Sequence, residues 1–233
     1  MRALARAMLD EAITGKQGPP ADLVVVLDDV ELANLGQESI VIEHFRAAVN
    51  VELSAKASSQ ATRDRYNLIV RQKCSYHLLR PMVEAYLFGD VAALANAGVS
   101  VAVAPLLLHP TDVEAFEAVD SLWTPDCVLR NQNQTRNGRP WWRHEKHPKC
   151  YLEHLIGRSN NNTYDETVQG ALALQNLAWG SVPKVPADVS FVRALFEDLA
   201  DWFGTPNPIP GQKSALFYPP MAVNRANLLL RNL

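Results

Sequence analysis

The chain has 233 residues, of which 48% are hydrophobic and 20% are charged, and its formal net charge is −3. This composition is typical of a soluble globular protein with one large domain or two small ones. The small negative charge excludes a protein that is basic overall, so any nucleic-acid binding requires a local basic patch.

Three sequence features indicate the compartment. No apolar run approaches the ~20 residues that span a bilayer, and residues 1–15 lack the continuous apolar centre of a signal peptide. The three cysteines are too widely spaced for a secreted disulfide framework. We therefore expect a cytoplasmic protein with no membrane partner.

The hydrophobic pattern of the first half predicts alternating helices and strands. In chain order it predicts a helix over 2–14, a strand over 22–28, a helix over 38–54, a strand over 74–79, helices over 81–88 and 91–97, a strand over 99–108 and a short acidic helix over 112–119. The acids of that last helix are expected to face solvent; they are Asp112, Glu114 and Glu117.

The second half differs in composition. Residues 124–150 are polar, basic and interrupted by prolines, and helices are predicted over 151–156, 164–179 and 188–203, with a final short helix that ends at Leu233. The predicted fold is α/β: a small parallel sheet flanked by helices in 1–123, a basic aromatic loop segment in 124–150 and a mainly helical part in 151–233. We expect these parts to form one continuous domain.

Three carboxylates, Asp28, Asp29 and Glu31, follow directly after the strand predicted over 22–28. Its valine-rich run is typical of a parallel strand that is buried on both faces, and ligands of such sheets bind outside the carboxyl ends of the strands. Carboxylate oxygens are the ligands that Mg²⁺ prefers. The structural alternative is a turn in which Asp28 or Asp29 caps the backbone and Glu31 is solvated.

Glu84 is a fourth candidate carboxylate, because it lies among apolar residues of the helix predicted over 81–88. It can join the acidic site or orient His77, or it can be an exposed helix residue. The sequence has no phosphate-binding loop, dinucleotide-binding glycine motif or serine-hydrolase elbow.

From Leu129 to Cys150, the basic segment combines six Lys/Arg residues with a Trp pair and contains a single acid, Glu145. Arginine binds phosphate through a bidentate fork, and exposed aromatic rings stack on unpaired bases. The candidate nucleic-acid-binding residues are Arg136, Arg139, Trp141, Trp142, Arg143, Lys146 and Lys149. The alternative is a surface loop that its tryptophans attach to the body while its charges stay solvated.

Zinc-type ligands also occur, in the series His144, His147, Cys150 and His154 and in the pair Cys74 and His77. Their spacing is not a standard zinc-finger pattern. The structural interpretation is favoured: His147 initiates a helix, and Cys150 and His154 point into a core. A structural zinc ion is therefore not expected.

Three segments together resemble a known family. The sequence Asp28-Asp29-Val30-Glu31 is similar to the second acidic motif of TOPRIM domains, although its Asp-x-Asp spacing is met by Asp29 and Glu31. Segment 74–90, with His77 and Glu84, and segments 147–152, 164–167 and 188–203 resemble TOPRIM-like proteins of unknown function related to OLD-type nucleases of phage-defence loci. A TOPRIM domain begins with a strand that carries a catalytic glutamate, and no such strand precedes Asp22 here.

The resemblance implies a nuclease that hydrolyses nucleic-acid phosphodiesters with Mg²⁺ or Mn²⁺. Asp28, Asp29 and Glu31 would hold the metal, and Glu84 would join them as a catalytic carboxylate. The absent glutamate strand supports a second hypothesis, a non-catalytic nucleic-acid-binding or assembly subunit that works with a partner chain or as a homo-oligomer. A zinc-stapled structural module is a third hypothesis.

Overall fold

The computed structural model describes residues 1–16, 18–131, 135–136, 139–140, 144–160, 163–182, 189–209 and 228–233. In this part of the chain, helices surround a parallel sheet of two strands, so the predicted α/β class is confirmed. None of the described helices is long and apolar enough to cross a bilayer.

The first half contains α1 (Arg2–Ile13), β1 (Val24–Asp29), α2 (Glu38–Lys56), α3 (Gln60–Lys73) and β2 (Cys74–Leu79). The bounds predicted for α1, β1, α2 and β2 are confirmed to within two residues, but the prediction that β1 is buried on both faces is wrong, because Val26 is its only fully buried residue. Helix α3 was not predicted, because Val70 is its only buried residue and the helix shows little apolar periodicity. Ser59 begins α3, where its hydroxyl accepts a hydrogen bond from the Thr62 amide at 3.2 Å.

The two strands lie between two hydrophobic cores. β1 and β2 pair in parallel, from Val24 opposite Cys74 to Asp29 opposite Leu79. In the core on the α1 and α2 side, the rings of Phe45 and Tyr76 stack with their centroids 3.9 Å apart. The other core is aromatic and joins residues from 79–127 to residues from 150–209. β2 is buried along its whole length.

The described residues after β2 contain α4 (Val91–Asn96), α5 (Thr124–Asn131), the short strands β3 (Thr135–Arg136) and β4 (Arg139–Pro140), α6 (Pro148–Asn160), α7 (Ala171–Gln175) and α8 (Ser190–Phe203). The helices predicted over 91–97, 151–156 and 188–203 are confirmed. The helix predicted over 164–179 is divided, since a π-helical turn, Glu166–Gly170, precedes α7 and a 3₁₀ turn, Trp179–Ser181, follows it.

The helix predicted over 81–88 is confirmed, and it is a 3₁₀ helix, Val83–Gly89. This tighter helix is closely packed at its end. A Cβ atom on Gly89 would lie 2.8 Å from the Cα of Val182, so glycine is required for this approach.

The strand predicted over 99–108 is also wrong. The segment makes one isolated antiparallel bridge, between Leu107 and Ala118, and Val101 is 84% exposed. Pro105 lacks an amide hydrogen, and an apolar run without a neighbouring strand cannot extend a sheet. The helix predicted over 112–119 is reduced to the single 3₁₀ turn Val113–Ala115.

The helix predicted to end at Leu233 is not found in the described residues 228–233. These residues instead lie along the outer edge of β2. The Arg231 amide donates to the Cys74 carbonyl at 2.8 Å, and the Asn232 side chain bonds to both the amide and the carbonyl of Tyr76. Leu230 and Leu233 are buried in the core of α1 and α2, which explains their apolar spacing.

Glu114 was predicted to face solvent, and this is wrong, because its residue is only 3% exposed. Its carboxylate accepts hydrogen bonds from the Tyr86 hydroxyl at 2.9 Å and from the amides of Phe191 and Val192 at 3.0 and 2.9 Å. Burial raises the pKa of Glu114 to about 7, although these hydrogen bonds oppose the rise. Glu114 therefore joins the 3₁₀ turn to the first turn of α8, where free amides attract an acceptor.

We predict that Glu114→Ala destabilises the fold by about 3 kcal/mol, because it leaves a buried hydroxyl and two helix amides without their acceptor. Urea unfolding measures this change. Glu117→Ala is the matched control, since Glu117 is partly exposed and pairs with Lys146 at the surface. Equal effects of the two substitutions would contradict the structural role of Glu114.

Candidate functional site

The carboxyl end of β1 carries the first three predicted site residues. Asp28 accepts a hydrogen bond from the Tyr76 hydroxyl at 2.9 Å, and Asp29 accepts one from the Val83 amide at 3.0 Å. Each carboxylate has two oxygens, so each retains a second oxygen for another contact. The turn-capping alternative is thus partly correct, because Asp29 does accept a backbone amide.

The pairing of the two strands continues past their ends. The Val30 amide donates to the Leu79 carbonyl and the Glu31 amide donates to the Pro81 carbonyl, both at 2.9 Å. The loop after β1 therefore runs beside the start of the 3₁₀ helix that carries Glu84.

Glu31 adopts a backbone conformation that side chains rarely occupy, with φ 64° and ψ 153°. Such a conformation costs about 1–3 kcal/mol and occurs preferentially at functional sites. The Asn34 side chain donates to the Val30 carbonyl at 2.9 Å and helps to hold the loop.

Electrostatic interactions connect the four carboxylates. Burial raises the pKa of Asp29 to about 7, and repulsion from Glu84, Glu31 and Asp28 adds to the rise. Burial and then repulsion from Asp28 raise the pKa of Glu31. Burial also raises the pKa of Glu84, and repulsion from Glu31 and Glu153 adds to this rise. Asp28, Asp29 and Glu31 belong to one segment and Glu84 to another, and the fold brings the two segments into one acidic cluster.

Lys149 supplies positive charge to the acidic cluster. It lies in the first turn of α6 and forms a salt bridge with Glu166. Its charge opposes the rise in the pKa of both Glu31 and Glu84. The structure thus places this predicted phosphate-binding residue beside carboxylates.

Glu153 and Tyr164 are members of this neighbourhood that the sequence analysis did not select. The pKa of Tyr164 is raised by burial and then by the charges of Glu84 and Glu153. The sequence spacing could have indicated Glu153, because Lys149 and Glu153 are four residues apart in one helix and so share a face.

The chemistry of the acidic cluster suits a hard divalent cation, because its donors are carboxylate oxygens whose mutual repulsion a cation would relieve. In the described residues, however, no group of three or more His, Cys, Asp or Glu side chains is arranged to hold a metal ion. The metal site therefore stays a prediction that rests on donor chemistry and electrostatics.

Only part of the predicted nucleic-acid surface lies within the described residues. Trp141, Trp142 and Arg143 lie outside the described residues, and the side chains of Arg136 and Arg139 do as well. Lys146 pairs with Glu117 at 3.3 Å. It lines a cleft of about 330 Å³ beside the acidic loop, together with Leu35, Gly36, Arg80, Pro81 and Glu117.

The candidate zinc ligands have structural contacts. The Cys150 amide donates to Nδ1 of His147 at 3.4 Å at the start of α6, as the structural interpretation of His147 predicted. Cys150 and Cys74 are buried, and the ring of His154 lies 5.1 Å from that of Trp123. His77 contacts Asp198 of α8 at 3.4 Å, which gives it a partner other than Glu84.

Comparison with known proteins identifies neither a family nor a function for this chain. No protein-family model, curated protein or solved structure matches the chain. The acidic cluster itself is therefore the basis for any functional proposal, and the TOPRIM resemblance stays a prediction.

The raised pKa of Asp29 gives a testable pH dependence. The folded protein holds this proton up to about pH 7, whereas the ordinary pKa is 3.8, so stability falls as the pH rises between these values. Asp29→Asn keeps an acceptor for the Val83 amide but cannot ionise. We predict that the variant gains about 1 kcal/mol or more relative to wild type between pH 4 and pH 8, measured by urea unfolding.

The matched control is Asp22→Asn, because the Asp22 side chain is 96% exposed. Its stability relative to wild type should not change over the same range. A flat difference for Asp29→Asn as well would contradict the electrostatic description of the cluster.

Proposed function

We propose that this chain is a divalent-cation-dependent phosphodiesterase that acts on nucleic acid, with a TOPRIM-like acidic site formed by Asp28, Asp29, Glu31 and Glu84. The observation that carries the proposal is the convergence of these carboxylates beside the carboxyl ends of two parallel strands. Ligands of α/β sheets bind at this position. The resemblance to OLD-type nucleases suggests a role in phage defence or DNA processing.

The chain's own residues would perform distinct tasks. Asp28, Asp29 and Glu31, with Glu84 beside them, would hold Mg²⁺ or Mn²⁺, which when bound polarises a phosphodiester and lowers the pKa of an attacking water. Asp29 has a pKa of about 7, so it can release or accept a proton near neutral pH. The predicted basic residues would hold the phosphate backbone, and Trp141 and Trp142 would stack on bases.

A second candidate function is supported by a different observation. Asp28 and Asp29 both accept hydrogen bonds from the fold, and the Lys149 ammonium already compensates charge at Glu31 and Glu84. A carboxylate cluster that is neutralised in this way can be purely structural. The alternative is therefore a non-catalytic nucleic-acid-binding or assembly subunit.

Cleavage of labelled single- and double-stranded DNA and RNA with Mg²⁺ or Mn²⁺ tests the proposal. We predict cleavage by the wild type and a loss of at least about a hundredfold in Asp29→Asn and in Glu84→Gln, since both variants keep their shape but lose a charge. Asp22→Asn, at an exposed aspartate outside the cluster, is the control and should cleave normally.

The same substrates separate the two functions. Binding without cleavage by a folded wild type at every metal concentration would favour the subunit. Cleavage that persists in Asp29→Asn and Glu84→Gln would contradict the assignment of the acidic cluster.

A further inference from the structure

The outer edge of β1 has no strand beside it in the described part of the chain. In a parallel pair, the backbone groups of alternate residues point to opposite edges. The Val30 amide bonds to the Leu79 carbonyl, so Val26 and Asp28 share its direction and face β2. The amides and carbonyls of Val25 and Leu27 consequently point away from β2.

Within the described residues, no hydrogen bond reaches the outward backbone groups of Val25 and Leu27. The opposite edge of the sheet is different. There, Cys74 and Tyr76 of β2 bond to Arg231 and Asn232, so the C-terminal segment closes that edge. Among the residues that the structure describes, the sheet thus has one closed edge and one open edge.

The open edge is also apolar. Val24–Leu27 is an uncharged run, and Leu27 is 48% exposed although it lies within the strand. Proteins usually protect such an edge with charge, proline or a covering segment, because its unpaired amides and carbonyls are a template for another strand. We propose that the outer edge of β1 binds an extended segment of a partner protein by strand addition.

Charge defines the partner. The apolar run is bounded by Asp22, whose side chain is 96% exposed, and by the acidic cluster that starts at Asp28. If a second copy of β1 bound this edge in the parallel orientation, its carboxylates would lie opposite those of the first copy. In the antiparallel orientation, carboxylates of the two copies would lie near each other at both ends of the strand pair. Like charges in such positions are destabilising. The partner segment is therefore apolar in its centre and carries Lys or Arg at its ends.

Amide hydrogen exchange of the intact chain tests this inference, with two synthetic peptides as probes. Both peptides alternate valine and threonine; one has lysine pairs at its ends and the other has glutamate pairs. In the free protein, the Val25 and Leu27 amides should exchange rapidly and the Val26 and Asp28 amides slowly. The lysine peptide should slow exchange at Val25 and Leu27 by about tenfold or more, and the glutamate peptide should not.

Two variants complete the experiment. Leu27→Lys places a charge on the open edge and should abolish the protection. Leu122→Lys is the control, because it makes the same change at a distant position, where Leu122 is 62% exposed. Slow exchange at Val25 and Leu27 in the free protein, or no effect of the lysine peptide, would overturn the proposal. Protection that rises with protein concentration alone would show that a second copy occupies the edge, and would overturn the proposed partner.

Discussion

The parallel pairing of β1 with β2 is the constraint on which the rest of the structure depends. It joins two distant segments of the chain, and the bonds of Val30 and Glu31 extend it beyond the strands. Because both strands run in the same direction, the loop with Asp28, Asp29 and Glu31 emerges beside the 3₁₀ helix with Glu84. The acidic cluster is thus a direct consequence of strand direction and register.

The acids of this protein fall into two physical groups. Asp120 and Glu114 are buried and fully engaged: Asp120 accepts bonds from Tyr151, Arg158 and the Leu122 amide, and Glu114 accepts those of Tyr86 and α8. Such carboxylates stabilise a fold. The acidic cluster differs, because burial together with repulsion among its members raises the pKa values of Asp29 and Glu31, and it includes the unusual backbone of Glu31. Mutual repulsion among carboxylates and strained backbone occur preferentially at functional sites.

Strong local patterns made much of the fold predictable. The valine run of β1 and the amphipathic periods of α2 and α8 determine those elements, and the position of Asp28, Asp29 and Glu31 follows from the end of a parallel strand. Glu84 was a candidate for the same site because it lies among apolar residues, and an exposed position was the alternative. The function of the cluster remains a prediction.

The incorrect sequence-based predictions have a common cause: tertiary contacts override the local sequence pattern. The apolar segment 99–108 suggested a strand, but no neighbouring strand exists in the described residues. Glu114 lies in an acidic stretch that looks solvated, and only the packing of α8 against it reveals its burial. The leucines near Leu233 suggested a helix, whereas they pack as a bent, non-helical segment beside β2. Lys149 was assigned to phosphate because the sequence does not show that α6 directs it toward carboxylates.

The central claim is that the acidic cluster exchanges a bound proton for a divalent cation. Calorimetric titration with Mn²⁺ near pH 6.5, in two buffers of different ionisation enthalpy, measures both the binding and the protons released. The account predicts one bound ion with release of up to about one proton, and loss of that proton release in Asp29→Asn. Absence of millimolar or tighter binding, or identical proton release by the variant, would contradict it.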